Sequence, residues 1–277
     1  MSPAADRPAI EMINVDKTFR VRKVAYAGLK GKIGAFLQGV RTEIEEKKGL
    51  IDVSLSVMPG ETVALIGGNG NGKSTLLSLL ARVMKPDRGT IRFPASADAE
   101  RPRLAPLLQL GAGFHPDLTG TQNVFFNGSI LGLTRARMQE RLADIKAFAD
   151  FQDAVYYDAP VRTYSEGMYA RLGFAVAVHT DPEIILIDET LAVGDEAFQE
   201  KCYKRIARFH EEGRTILFVS HDIAAVRRVA TRAVWITKGR VGADSGTGDG
   251  DIESVIGAYH AHLRVEAEKE AEKLKRG

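Results

Sequence analysis

The run Gly67-Gly68-Asn69-Gly70-Asn71-Gly72-Lys73-Ser74 constrains the fold of this chain more than any other segment. Residues 62–66 before it, Thr-Val-Ala-Leu-Ile, are a continuous β-friendly stretch, as a strand buried on both faces should be. After it, Leu76, Leu77, Leu79, Leu80 and Val83 mark one apolar face of a helix. Strand, glycine-rich turn and helix in that order read as a phosphate loop. The glycines let the backbone curl so that successive N–H groups point at phosphate oxygens, and the helix adds its positive N-terminal end. Lys73 is placed to meet the β- and γ-phosphates and the Ser74 hydroxyl to ligate Mg²⁺, with Thr75 following. Asn69 and Asn71 fit because asparagine tolerates left-handed conformations better than most residues.

At 277 residues the chain holds one large α/β domain, or a core domain with a small appendage. Its 38 basic and 36 acidic residues nearly cancel, which argues against a nucleic-acid binder. The single cysteine, Cys202, excludes an internal disulfide framework and suits the cytosol; it reads as a small apolar residue on a helix. No apolar run reaches the roughly 18–20 residues that span a bilayer, and the N-terminus lacks a signal-peptide layout. Any role in membrane transport therefore needs a separate membrane partner. Residues 1–9 read as a short disordered tail.

Strand and helix signals alternate, which predicts a mainly parallel sheet with helices on its faces. Strands are expected at 10–19, 53–57, 62–66, 90–93, 184–188, 215–220 and 233–237, with a hairpin turn at Lys238-Gly239. From about 118 to 180 the pattern is helical, which reads as a helical subdomain inserted into the α/β core. Residues 20–49 carry eight basic and three acidic side chains, with Ile33, Phe36, Leu37, Val40 and Ile44 at helical spacing. That pattern suits an exposed amphipathic helix packed on the domain, or a contact with anionic headgroups or a membrane partner. Residues 248–277 form a helical extension. Beyond Leu263, Glu266 with Lys269, Glu270 with Lys273 and Glu272 with Arg276 suggest a solvated, fraying helix.

Three further sites accompany the loop. Ile184-Ile185-Leu186-Ile187 delivers Asp188 and Glu189 to a strand's C-terminal edge, where open α/β sheets bind ligands. Asp188 is suited to hold Mg²⁺ through water, and Glu189 to orient the attacking water. His221 ends a second β-rich strand, within reach of a γ-phosphate. Ser165 is a good N-cap for a helix with an apolar face at Met168, Leu172, Ala175 and Val176. With Gly167 permitting close backbone approach, that helix start is a second anion site.

The whole constellation resembles the nucleotide-binding domain of ABC transporters, over roughly residues 10–245. Gly67 to Ser74 is similar to Walker A, Asp188-Glu189 to Walker B with the catalytic glutamate, and His221 to the switch histidine. Tyr164-Ser165-Glu166-Gly167-Met168 matches the signature, Gly194-Asp195 the D-loop, Phe19 the aromatic stacked on adenine, and Gln109 the Q-loop glutamine that reaches Mg²⁺. The resemblance implies a P-loop NTPase (RecA-like) α/β core with an antiparallel β edge. It also implies ATP and Mg²⁺ as ligands and a head-to-tail homodimer in which each signature binds the other subunit's γ-phosphate. Tyr164, Glu166 and Met168 depart from the commonest signature. With Arg171-Leu172-Gly173-Phe174 and the run from Leu191 to Phe198, they resemble ATPase subunits of polysaccharide exporters. A permease dimer, a lipid-linked polysaccharide as cargo and the cytoplasmic face of the cell membrane are then implied, with no nucleic acid. Some members of that group add a C-terminal carbohydrate-binding β-domain; the roughly 30 residues after the last expected strand imply none here. The same motifs also suit another ABC importer or exporter, or a soluble ABC-class ATPase.

Overall fold

The computed structural model describes residues 7–23, 43–96, 103–108, 110–188, 194–246 and 251–276. Gln109, Glu189 and residues 24–42, with Ile33, Phe36, Leu37 and Val40, lie outside them. Two sheets organise the rest. The first is antiparallel, in the order β2-β1-β4, from β1 (Ile10–Lys23), β2 (Glu43–Val57) and β4 (Arg88–Arg92). The second has the order β5-β6-β7-β3-β8-β9. Its members are β3 (Thr62–Ile66), β5 (Leu104–Leu107), β6 (Ile184–Ile187), β7 (Thr215–Val219), β8 (Arg232–Thr237) and β9 (Arg240–Asp244). All its pairings are parallel except β8 with β9.

The central strands are apolar throughout because both of their faces are covered. Period-two alternation sends Val63, Leu65, Leu186, Leu217 and Val234 into one core, shared with the antiparallel sheet and helix α1 (Lys73–Leu80). Ala64, Ile66, Ile185, Phe218 and Ala233 enter the other. There they meet α4 (Glu166–Val178), α5 (Glu196–Glu211) and α6 (Ile223–Val229). Cys202 on α5 is buried in that second core, and desolvation pushes its thiol up to about 12. Between β5 and β6 the chain forms α2 (Gly120–Ile130), α3 (Arg135–Ala149), two short 3₁₀ turns and α4, around a third core centred on Val124, Met138 and Leu172.

α7 (Ile252–Arg276) is joined to the domain rather than merely appended to it. Val255 and Ile256 are buried in the second core, and the rings of Tyr259 and His262 lie 6.3 and 5.1 Å from that of Trp235. Arg232 fastens the opposite end of β8. It is 9% exposed, pairs with both oxygens of Asp244 (2.7 and 2.6 Å), and reaches Glu61 at 3.1 Å. Its Nη1 also donates to the Ser56 carbonyl.

Three expectations change. β1 and β2 run far beyond 19 and begin far before 53, pairing from Ile10 with Val57 out to Lys23 with Glu43. Positions 43–49, Ile44 included, are therefore strand rather than helix. Glu45 to Lys48 are exposed, so no buried face imposed an apolar alternation that could be read. β5 was not anticipated: it is four residues long and contains Pro106, which an edge strand tolerates. Ala9 is docked rather than free, 6% exposed, with its N–H donating to the Val57 carbonyl at 2.8 Å. In the second sheet β7 stands between β6 and β3.

Candidate active site

The phosphate loop hangs between β3 and α1, and sterics explain its glycines. Gly67 has φ 141° and Gly72 φ 107°, conformations that side chains resist. A Cβ on Gly67 would run into the Ile236 carbonyl oxygen on β8, and one on Gly72 into the Gly49 carbonyl and Leu50 Cδ2. The loop is further tied to the β8–β9 turn, where Lys238 and Gly239 both have positive φ. Lys238 N–H donates to Asn71 Oδ1 and Gly239 N–H to the Asn71 carbonyl, each at 3.0 Å. Asn71 therefore holds the loop in place through both its backbone and its side chain. Lys73 is buried, and its ammonium donates to the carbonyls of Gly67 (2.6 Å) and Gly68 (3.0 Å). The cation thus lies directly over the loop.

A cavity of about 400 Å³ opens on this loop. Asn69, Gly70, Gly72, Lys73, Ser74 and Thr75 line it together with Phe19 and His221. Three elements far apart in sequence thus converge: the loop, an aromatic ring from the antiparallel sheet, and the histidine that follows β7. Gly68 belongs to the same loop, where its carbonyl accepts from Lys73. Asp188 follows β6 and borders a different hollow, of about 530 Å³, between that strand, β7 and α5.

The signature lies elsewhere. Ser165 caps α4 in an extended conformation, its Oγ accepting from Met168 N–H at 3.2 Å. Tyr164 donates its hydroxyl to the Tyr156 carbonyl at 2.6 Å, and burial pushes that phenol up to about 12, so it stays a neutral donor. Ser165, Glu166, Gly167 and Met168 line a separate cavity of about 630 Å³, together with Gly194 and Asp195. Asp195 caps α5 by accepting from Phe198 N–H at 2.9 Å, and Arg171 Nη2 meets its other oxygen at 2.6 Å. First the Phe198 amide and then Arg171 hold the Asp195 carboxyl below its ordinary range. The Ser165–Met168 stretch and the phosphate loop therefore line two separate cavities of one chain.

Sequence reasoning missed Val21, Lys47 and Gly49, which also line the loop cavity, and Arg171, which joins α4 to Asp195. A Cβ on Gly49 would collide with the Phe19 ring at 2.6 Å.

A glycine-rich loop closing on a buried lysine at the C-terminal edge of a parallel sheet defines a P-loop NTPase. Within that class the chain belongs to the ABC transporter family, whose profile matches residues 50–192. Its domain is an ABC ATPase domain, and its nucleotide is ATP. It is 39% identical over 264 residues to an ABC transporter protein, AbcA, of Aeromonas salmonicida, covering 95% of this chain and 80% of that one. It is 47% identical to the O-antigen export system ATP-binding protein RfbB of Klebsiella pneumoniae, covering 69% of this chain and 74% of that one. With the teichoic acids export ATP-binding protein TagH of Bacillus anthracis the identity is 38%, over 78% of this chain but only 36% of that longer protein. Among solved structures, an ATP-binding subunit of an ABC transporter superposes with a TM-score of 0.68 at 22% identity, covering 93% of this chain and 98% of that chain. A dimeric bacterial ABC transporter cassette gives 0.63 at 24%, covering 85% and 97%.

Proposed function

We propose that the chain is the ATP-hydrolysing subunit that powers export of a lipid-linked polysaccharide through a separate permease. The observation that carries the ATPase half of this reading is the separation of the two half-sites. The loop cavity holds Phe19, the Gly67–Ser74 loop and His221, whereas the cavity at Ser165–Met168 holds Gly194 and Asp195. Because they are separate, a second copy turned head to tail is required to bring a signature onto each loop-bound ATP. The cargo half rests on the O-antigen and teichoic-acid export relatives.

In this reading Phe19 stacks on adenine and residues 67–75 hold the phosphates. Glu189 orients the attacking water, and His221 fixes the γ-phosphate. Mg²⁺ suits the oxygen donors present: the Ser74 hydroxyl, the Asp188 carboxylate and the Gln109 amide. Bound there, the ion neutralises phosphate charge. No helix among the described residues is long and apolar enough to cross a membrane, so translocation falls to the permease. A cleft of about 700 Å³ between the end of α1, the β5 edge and the end of α2 is its docking place. Val83 and Ile130, 72% and 58% exposed, line it.

Glu189→Gln tests the mechanism. It should bind ATP and form a stable ATP-dependent dimer by size exclusion, while turnover falls by about 10²-fold or more, the usual contribution of a positioned general base. Near-normal hydrolysis would sink the assignment. For the cargo, depletion of the protein should leave lipid-linked glycan accumulating in the cytosolic leaflet, and an unchanged glycan profile would overturn the export reading.

A further inference from the structure

Residues 20–49 look basic enough to face lipid headgroups, and in their described parts, 20–23 and 43–49, the strand register sets which charges share a face. Lys47 is the cross-strand partner of Phe19, and Lys48 that of Thr18. Directly opposed residues on an antiparallel pair share a face, with Cβ atoms about 5 Å apart, and successive residues alternate faces. Lys47 therefore stands beside Phe19 and lines the loop cavity, whereas Lys48 does not. The next basic residue on the ladder, Arg20, is engaged with Glu46 at 3.3 Å. No ion pair involves Lys47 among the described residues. Lys73, the other lysine of the cavity, lies at the loop end, on the carbonyls of Gly67 and Gly68.

We propose that Lys47 is a nucleotide-binding residue, its ammonium set beside the base-stacking ring and directed at the anionic chain of ATP. The inference rests on the phosphate-loop cavity being the ATP site. Lys73 then neutralises the terminal phosphates from the loop end, and Lys47 supplies a second cation from the base end. Its flexible four-carbon stem lets the charge follow the ribose and α-phosphate rather than fix one geometry. Being exposed, Lys47 can be replaced without disturbing the core.

The test measures ATP affinity of the full-length protein by isothermal titration for wild type, Lys47→Glu, Lys47→Arg, Lys48→Glu and Lys73→Ala. At about 50 mM salt, Lys47→Glu should weaken ATP binding about tenfold. The loss should shrink to about threefold at 0.5 M salt, as screening shortens the reach of an exposed charge. Lys47→Arg and Lys48→Glu should stay within about twofold of wild type, the latter making the same charge change on the opposite face. Equal effects of Lys47→Glu and Lys48→Glu, or none from either, overturn the proposal. So does loss of binding to anionic phospholipid vesicles by Lys47→Glu with ATP affinity intact, which would give this lysine to headgroups. If Lys73→Ala binds ATP as tightly as wild type, the cavity itself has been misassigned and both readings fall. If Lys73→Ala abolishes binding while Lys47→Glu leaves it unchanged, only the present proposal fails.

Discussion

Replacing Gly67 by alanine separates two reasons for a glycine in the loop, because Gly70 provides a matched control. Both residues have positive φ, 141° and 75°, so both substitutions incur backbone strain of about 1–2 kcal/mol. A methyl on Gly70 meets nothing within 4 Å. On Gly67 it would sit about 1 Å inside van der Waals contact with the Ile236 carbonyl oxygen, with Ile236 C at 3.3 Å and Trp235 Cδ1 at 3.5 Å. That carbonyl belongs to β8, paired with β3 through Ile66 and Trp235, so relief requires the two strands to part at the loop end. Lengthening one or two ladder hydrogen bonds there adds about 1 kcal/mol each. Gly67→Ala should therefore lose about 2–4 kcal/mol and roughly 6–12 °C in Tm, against about 1–2 kcal/mol and roughly 3–6 °C for Gly70→Ala. Thermal unfolding of the two purified variants without nucleotide is the measurement. Equal Tm shifts, or a Gly67→Ala shift below that of Gly70→Ala, would refute the argument from the Ile236 carbonyl.

Arg232→Met should destabilise the domain by about 3–5 kcal/mol in urea unfolding, because it takes the cation from Asp244, whose side chain is 10% exposed, and from the half-buried Glu61. A double replacement of Arg232 and Asp244 by apolar residues should recover part of that loss, and no recovery would contradict the ion-pair account. Asp195 has its carboxyl held down from an ordinary 3.8, so the stability it contributes is present above that value and fades as pH falls through its lower folded value. Arg171→Gln should raise the Asp195 midpoint, followed by NMR, only partway to 3.8, since the Phe198 amide remains the larger cause; a complete return would reverse that order. Trp235 is the sole tryptophan and lies next to Gly67, so ATP binding should shift its emission. Identical spectra with and without saturating ATP would show that the loop does not communicate with β8.

Local chemistry made much of this protein legible from its sequence. The phosphate loop, its flanking strand and helix, the Ser165 cap and the Lys238-Gly239 turn each depend on residues within a few positions, and each appears where its signal lies, except that the helix ends at Leu80 and leaves Val83 beyond it, 72% exposed. The doubly covered strands were equally readable, because burial on both faces demands an apolar run whatever the partners are. What tertiary structure decided is which of these local pieces share a space. Nothing in residues 43–49 announces a strand, since a ladder exposed on both faces imposes no hydrophobic period. Yet pairing with β1 is what carries Lys47 and Gly49 to Phe19 and the loop. Nor does sequence order reveal that β7 separates Asp188 from β3, or that Arg171 and Asp195 meet across 24 positions. Residue types and short spacings determined which chemistry the chain can perform. Strand order and register, set by long-range packing, determined that its phosphate loop and its signature open into different cavities.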